Sequence, residues 1–252
     1  MHRPSLTAIA CILAALFAVS GSSATVYAQG SAIDTRSYQL RRNWPVPLKS
    51  DKDMEVAPDL TAKNYVLIFD GSGSMSETNC AGPGKTKAHS AKEAVNQWFR
   101  SLPAGANVGL VAFYYNTWSN RALKAGAGEE LIRLTNAVRP GGHTPLGEAM
   151  RMAYDMMEQQ ARRQLGYGEY TIVVITDGMA TDPGILDKWS KYILDNTPIL
   201  IYTIGFCIDE RHSLNQPGRT FYRSAHNPDA LKKGLREVLA EAEKFSASQA
   251  PQ

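Results

Sequence analysis

Tyr65-Val66-Leu67-Ile68-Phe69 is an unbroken apolar and aromatic run that ends on Asp70 and passes at once into Gly71-Ser72-Gly73-Ser74-Met75. The run is too short for a helix to be the better reading and has the make-up of a strand buried on both faces. Strands of that kind occur in α/β sheets covered on both faces. In open sheets of this class, ligands sit in the crevice beyond the carboxyl ends of the strands. An acid and two serines spaced two apart at that edge can aim three oxygens at one point. Carboxylates and hydroxyls are hard donors that suit Mg²⁺, Mn²⁺ or Ca²⁺. Asp, Gly and Ser also follow strands for backbone reasons alone, so this stretch by itself leaves open both metal ligation and a plain polar turn.

The rest of the chain repeats the alternation. A helix is predicted from about Lys87 to Leu102, with Ala91, Ala94, Val95, Trp98 and Phe99 at helical spacing, and then a strand over Asn107–Tyr114. Arg121 to Lys124 reads as a short edge strand and Glu129 to Val138 as a helix, broken by Pro140-Gly141-Gly142. Thr144 is placed as the N-cap of a long helix reaching about Leu165, with Pro145 in its first turn. Its Met-rich inner stripe (Met150, Met157) reads as core. A second buried strand, Glu169 to Thr176, again ends on an acid, Asp177, followed by Gly178. A helix over Leu186–Leu194, a strand over Pro198–Phe206 and a short edge strand at Thr220–Tyr222 follow. A final helix is capped at Asn227, with Leu231, Leu235, Val238, Leu239 and Ala242 inward. Alternating strands and helices imply right-handed crossovers and a doubly wound, mostly parallel sheet with helices on both faces.

The first residues have a different character. His2 and Arg3 precede an apolar run from Leu6 to about Ser20, and small residues follow to a cleavage site at Val26-Tyr27-Ala28. This order defines a secretory signal peptide over residues 1–28. The apolar run falls short of the ~20 residues that a membrane-spanning helix needs, so the expectation is export to the periplasm or beyond, with no membrane span after cleavage. Residues 29–63, with Trp44-Pro45-Val46-Pro47, read as a polar linker or an extended arm laid over the domain. The domain itself is expected over 64–245, with a polar tail at 246–252. Removing Cys11 with the leader leaves Cys80 and Cys207, an even pair in an oxidising compartment. A disulfide and two separate buried thiols are both open. A formal charge of +3 without a dense basic stripe argues against nucleic acid as a partner.

Asp70-x-Ser72-x-Ser74, then Gly141-Gly142-His143-Thr144-Pro145-Leu146-Gly147-Glu148-Ala149, then Thr176-Asp177-Gly178 after a strand, in this order, resembles the von Willebrand factor type A domain from about Asn64 to Phe245. The resemblance implies a Rossmann-like sheet with one antiparallel edge strand and a metal-ion-dependent adhesion site. It would make Ser72 and Ser74 direct hydroxyl ligands of a divalent cation, Mg²⁺ first and Mn²⁺ or Ca²⁺ next. Thr144 would be a direct or water-mediated ligand, and Asp70 and Asp177 would act mainly through bound water and hydrogen bonds. It further implies that the ion engages an Asp or Glu of a protein partner. The loops Glu77–Thr86 and Cys207–Arg219 look longer than the family's usual connections. Each holds one cysteine, so a Cys80–Cys207 disulfide beside the metal is expected.

Three enzyme readings compete with binding. Gly82-Pro83-Gly84-Lys85-Thr86 looks like half of a nucleotide-binding P-loop, but Asn79 stands where the first glycine belongs and no strand leads directly into it. Asp70 as a phosphotransfer nucleophile wants a second acid where Ser72 stands. A serine hydrolase lacks the Gly-x-Ser-x-Gly elbow. His89, His143, His212 and His226 read as surface or loop residues, with His143 the one nearest the chemistry. The expectation is therefore a non-enzymatic, metal-dependent binding module. The alternatives are a scaffold that binds through its helical faces around a loop-stiffening metal, and a P-loop-like nucleotide-binding enzyme.

Overall fold

A computed structural model describes residues 44–249, so the signal-peptide reading lies outside the described residues. The chain forms six strands: β1 (Lys63–Asp70), β2 (Asn107–Tyr114), β3 (Thr117–Ala125), β4 (Glu169–Thr176), β5 (Leu200–Phe206) and β6 (Phe221–Ala225). The helices are α1 (Lys87–Arg100), α2 (Gly128–Ala137), α3 (Leu146–Arg163), α4 (Pro183–Asn196) and α5 (Pro228–Gln249). The sheet order is β3-β2-β1-β4-β5-β6. All pairings are parallel except that of β2 with β3, a hairpin that makes β3 the antiparallel edge.

Alternation along β1 explains the layering. Tyr65, Leu67 and Phe69 point to one face, where α1, α2 and α5 bring Val95, Trp98, Leu131, Leu231 and Leu235. Val66 and Ile68 point to the other, covered by α3 and α4 through Met150, Met157, Leu186 and Ile193. β1 is buried along almost its full length, and that is why it reads as a continuous apolar run.

The central position of β1 also sets where a ligand can bind. The chain leaves β1 for β2 on one side and returns through α2 and α3 to β4 on the other. The connections therefore diverge between β1 and β4, and a crevice opens at their carboxyl ends.

Several boundaries differ from the sequence expectation. The edge segment is nine residues long, not four, because pairing with β2 extends along the whole hairpin. α3 starts at Leu146, and Thr144 is not its cap. The Asp182 carboxylate accepts instead from the N–H groups of Gly147 and Glu148, both at 2.9 Å. α5 runs to Gln249, into the segment expected as a polar tail. Asn227 caps α5 as expected, its Oδ1 accepting from the Ala230 N–H at 2.8 Å.

Residues 44–62 lie against the amino-terminal end of the sheet. Trp44 is buried with its ring edge-on to Tyr170, centroids 4.9 Å apart. The Ala57 N–H donates to the Arg163 carbonyl (2.8 Å), and the Gln164 side-chain amide donates to the carbonyls of Asp59 and Ala62. No described helix is long and apolar enough to cross a membrane.

Candidate functional site

Register builds the site from its floor. Phe69 pairs with Ile175, so Asp70 and Thr176 come level at the ends of neighbouring strands. The Thr176 hydroxyl donates to Asp70 Oδ2 at 2.6 Å, and the Ser72 N–H donates to Oδ1 at 2.8 Å. Asp70 is fully buried. Burial raises its pKa from the usual carboxylate value to about 6, against hydrogen bonds from Thr176 and from the side chain and N–H of Ser72, and with help from the nearby Asp177 charge.

Above this floor a short 3-10 turn (Gly73–Ser76) turns two serines inward. Ser72 Oγ and Ser74 Oγ stand 3.1 Å apart, and Ser74 Oγ donates to Asp177 Oδ1 at 2.7 Å. The turn is held by backbone bonds: Gly71 N–H to Phe113 O, Gly141 N–H to Gly71 O, and Gly73 N–H to Gly142 O. Gly71 cannot carry a side chain here, since a Cβ would lie 2.5 Å from the Phe113 carbonyl oxygen.

Asp70, Ser72, Ser74 and Asp177 thus gather at one edge through a chain of short contacts. Thr144 enters through its backbone. It lies two residues after Gly142, whose carbonyl accepts from the Gly73 N–H, and its own carbonyl accepts from the Thr181 N–H at 2.9 Å. It is buried at the same edge. His143 beside it is exposed.

Lys87 joins this group from outside the sequence motifs. It is 3% exposed, and its ammonium donates to Asp177 Oδ2 at 3.0 Å and to Glu77 Oε2 at 2.7 Å. Burial works to lower its pKa, but the two carboxylates outweigh that and raise it. A lysine at the start of a helix reads as a solvated residue unless the fold is known, so no sequence signal pointed to it.

The expected Cys80–Cys207 disulfide is formed, with Cα atoms 5.8 Å apart. It joins the two long loops beside the site. His212 lies in the loop after β5, within the surface-or-loop reading, but it is not at the surface: it is 4% exposed. Its Nδ1 accepts from the Leu214 N–H, so Nε2 carries the proton and donates to the Gly178 carbonyl at 3.2 Å. Burial lowers its pKa, with the Gly178 bond pulling the other way. His212 therefore pins the loop after β5 to the residue next to Asp177. The P-loop-like Lys85 pairs with Glu93 at 2.6 Å.

The donor set can be tested against a small divalent ion. Oxygens in adjacent corners of a Mg²⁺ octahedron, each about 2.1 Å from the ion, lie about 3 Å apart. The two serine oxygens, at 3.1 Å, fit that spacing. Among the described residues no three His, Cys, Asp or Glu side chains gather into a cage. A hydroxyl-rich edge backed by two carboxylates suits a hard ion and not a thiolate-seeking one.

A family model described as the von Willebrand factor type A domain matches residues 65–179. The chain is similar to an uncharacterized protein, YwmC, of Bacillus subtilis (strain 168), at 26% identity over 157 residues, or 57% of this chain and 66% of that protein. Among solved structures it is similar to the pilus adhesin SpaC from Lactobacillus rhamnosus GG (15% identity, TM-score 0.59, covering 74% of this chain and 31% of that one). It is also similar to the vWF domain of the type V pili tip protein Mfa5 from Porphyromonas gingivalis (11%, 0.56, 76% and 97%). A third is proximal thread matrix protein 1 from the mussel byssus, with a zinc-occupied MIDAS motif (17%, 0.54, 74% and 47%). The chain thus spans just under two thirds of YwmC and about a third of SpaC. At these identities the structural likenesses establish the fold.

Proposed function

The chain carries a von Willebrand factor type A domain, and from that premise we propose that it is an exported, non-enzymatic binding module. Its partner is a protein that presents an Asp or Glu side chain to a divalent cation, Mg²⁺ first, at the carboxyl edge of the sheet. The observation that carries this reading is the 3.1 Å spacing of Ser72 Oγ and Ser74 Oγ, with Asp177 directly behind Ser74.

Ser72, Ser74 and Thr144 would present hydroxyl oxygens to the ion. Asp177 orients the Ser74 hydroxyl, and Asp70, held by Thr176 and the Ser72 N–H, fixes the turn and adds negative charge beneath it. When bound, the ion supplies an electrophilic coordination position that a partner's carboxylate can fill in place of water. The kinship in fold with pilus proteins and with a relative whose MIDAS motif holds zinc supports an adhesive or assembly role.

Calorimetry with Mg²⁺ and Mn²⁺ tests the site: uptake of one ion is expected, and Asp70→Ala and Ser72→Ala should each abolish it. Capture of proteins from the same compartment should then require the ion and fail in EDTA. Absence of uptake by the wild type sinks the metal reading. Capture that persists in EDTA and in both variants would move the function to the helical faces.

A further inference from the structure

Lys87 breaks two rules at once. It is the first residue of α1, where the helix dipole disfavours a cation, and lysine is seldom fully buried without a partner. Two carboxylates offset those costs, and one of them belongs to the proposed metal site. The Lys87 N–H also donates to the Glu77 carbonyl at 2.8 Å, which ties the start of α1 to the exit of the turn carrying Ser74. Lys87 therefore ties the start of α1 to the exit of the Ser74 turn and to Asp177 past the end of β4.

Asp177 divides its two oxygens accordingly. Oδ1 accepts from Ser74, and Oδ2 is held by the ammonium. The charge of Asp177 is felt at Asp70, and the ammonium of Lys87 is the cation that Asp177 meets.

Resting on the metal reading above, we propose that Lys87 is a positioning residue that acts as a tethered counter-cation for Asp177. It holds the carboxylate in its binding position while no ion is present. By neutralising part of that charge it also weakens the hold on the divalent ion, so that ion exchange stays reversible. Glu77 shares the ammonium and so limits how completely Asp177 is neutralised.

The experiment compares wild type, Lys87→Met and Glu77→Gln by Mn²⁺ titration calorimetry and by melting with and without Mn²⁺. Lys87→Met should bind Mn²⁺ about tenfold more tightly, the effect of removing one nearby charge at a partly screened site. Its metal-free melting point should fall by several degrees and recover when Mn²⁺ is added. Glu77→Gln alters an exposed side chain and should fold; it leaves the whole ammonium to Asp177, so Mn²⁺ binding should weaken. A folded Lys87→Met that binds Mn²⁺ no better than wild type, or that loses the same number of degrees with and without Mn²⁺, overturns the inference and makes Lys87 a structural tie. If Lys87→Met does not fold, Glu77→Gln decides, and unchanged affinity there also overturns it. A wild type that takes up no Mn²⁺ removes the metal site itself, and the inference with it.

Discussion

Asp70 is where the site's electrostatic cost is concentrated. A fully buried carboxyl with its pKa raised to about 6 holds a proton in the folded protein over a range in which the unfolded chain has lost it. The folded state is thus favoured at low pH, and this contribution is lost as pH rises from about 4 through about 6. Two pH units of difference bound the effect at about 3 kcal/mol. Urea unfolding in EDTA should show wild type losing stability across that window relative to Asp70→Asn, which has no charge to bury. Parallel pH profiles for the two proteins would show that the carboxylate is stabilised in some other way. The DxSxS spacing was legible in the sequence because it is local. The raised pKa was not, since it depends on the depth of β1 beneath helices that are distant in sequence.

At the scale of elements, α3 meets α4 closely just after Thr144. Gly147 lies in the first turn of α3, and a Cβ there would come 2.3 Å from the Leu186 nitrogen and 2.8 Å from the Ile185 carbonyl carbon. Both are backbone atoms and cannot swing aside. Asp182 clamps the same helix end through Gly147 and Glu148. Gly147→Ala should therefore cost about 1–3 kcal/mol by overpacking and weaken Mn²⁺ uptake by pushing the α3 start outward. If the variant is destabilised but binds Mn²⁺ as wild type does, then this helix contact does not set the position of Thr144. The sequence suggested Thr144 itself as the N-cap, a good local guess by residue type. The carboxylate that caps instead comes from 35 residues away, so no local pattern could have found it. Helix and strand identities were readable from apolar period; the ends, which depend on caps and edge pairing, moved.

The molecule as a whole separates stability from the site along the strand direction. The arm seats Trp44 against Tyr170 at the amino-terminal end of the sheet, while Asp70, Ser72, Ser74 and Asp177 meet at the carboxyl end with Thr144 buried there too. Trp44→Ala should lower stability by about 3 kcal/mol, in the range for a buried aromatic, and leave the Mn²⁺ dissociation constant unchanged. Denaturation and calorimetry on the same sample check this. A matching loss of Mn²⁺ affinity would mean that the two ends of the sheet are coupled. The disulfide belongs to this scale too, since it spans 127 residues to join the loops flanking the site.

The primary structure alone determined which segments become strands, because a strand covered on both faces must be apolar throughout, and it placed acids and hydroxyls just past the ends of two of them. Tertiary structure decided that those two strands are neighbours in register, and only that adjacency brings Asp70 to the Thr176 hydroxyl and Ser74 to Asp177. It also decided that Lys87 turns inward, because a buried cation is tolerated only where folding delivers carboxylates to meet it.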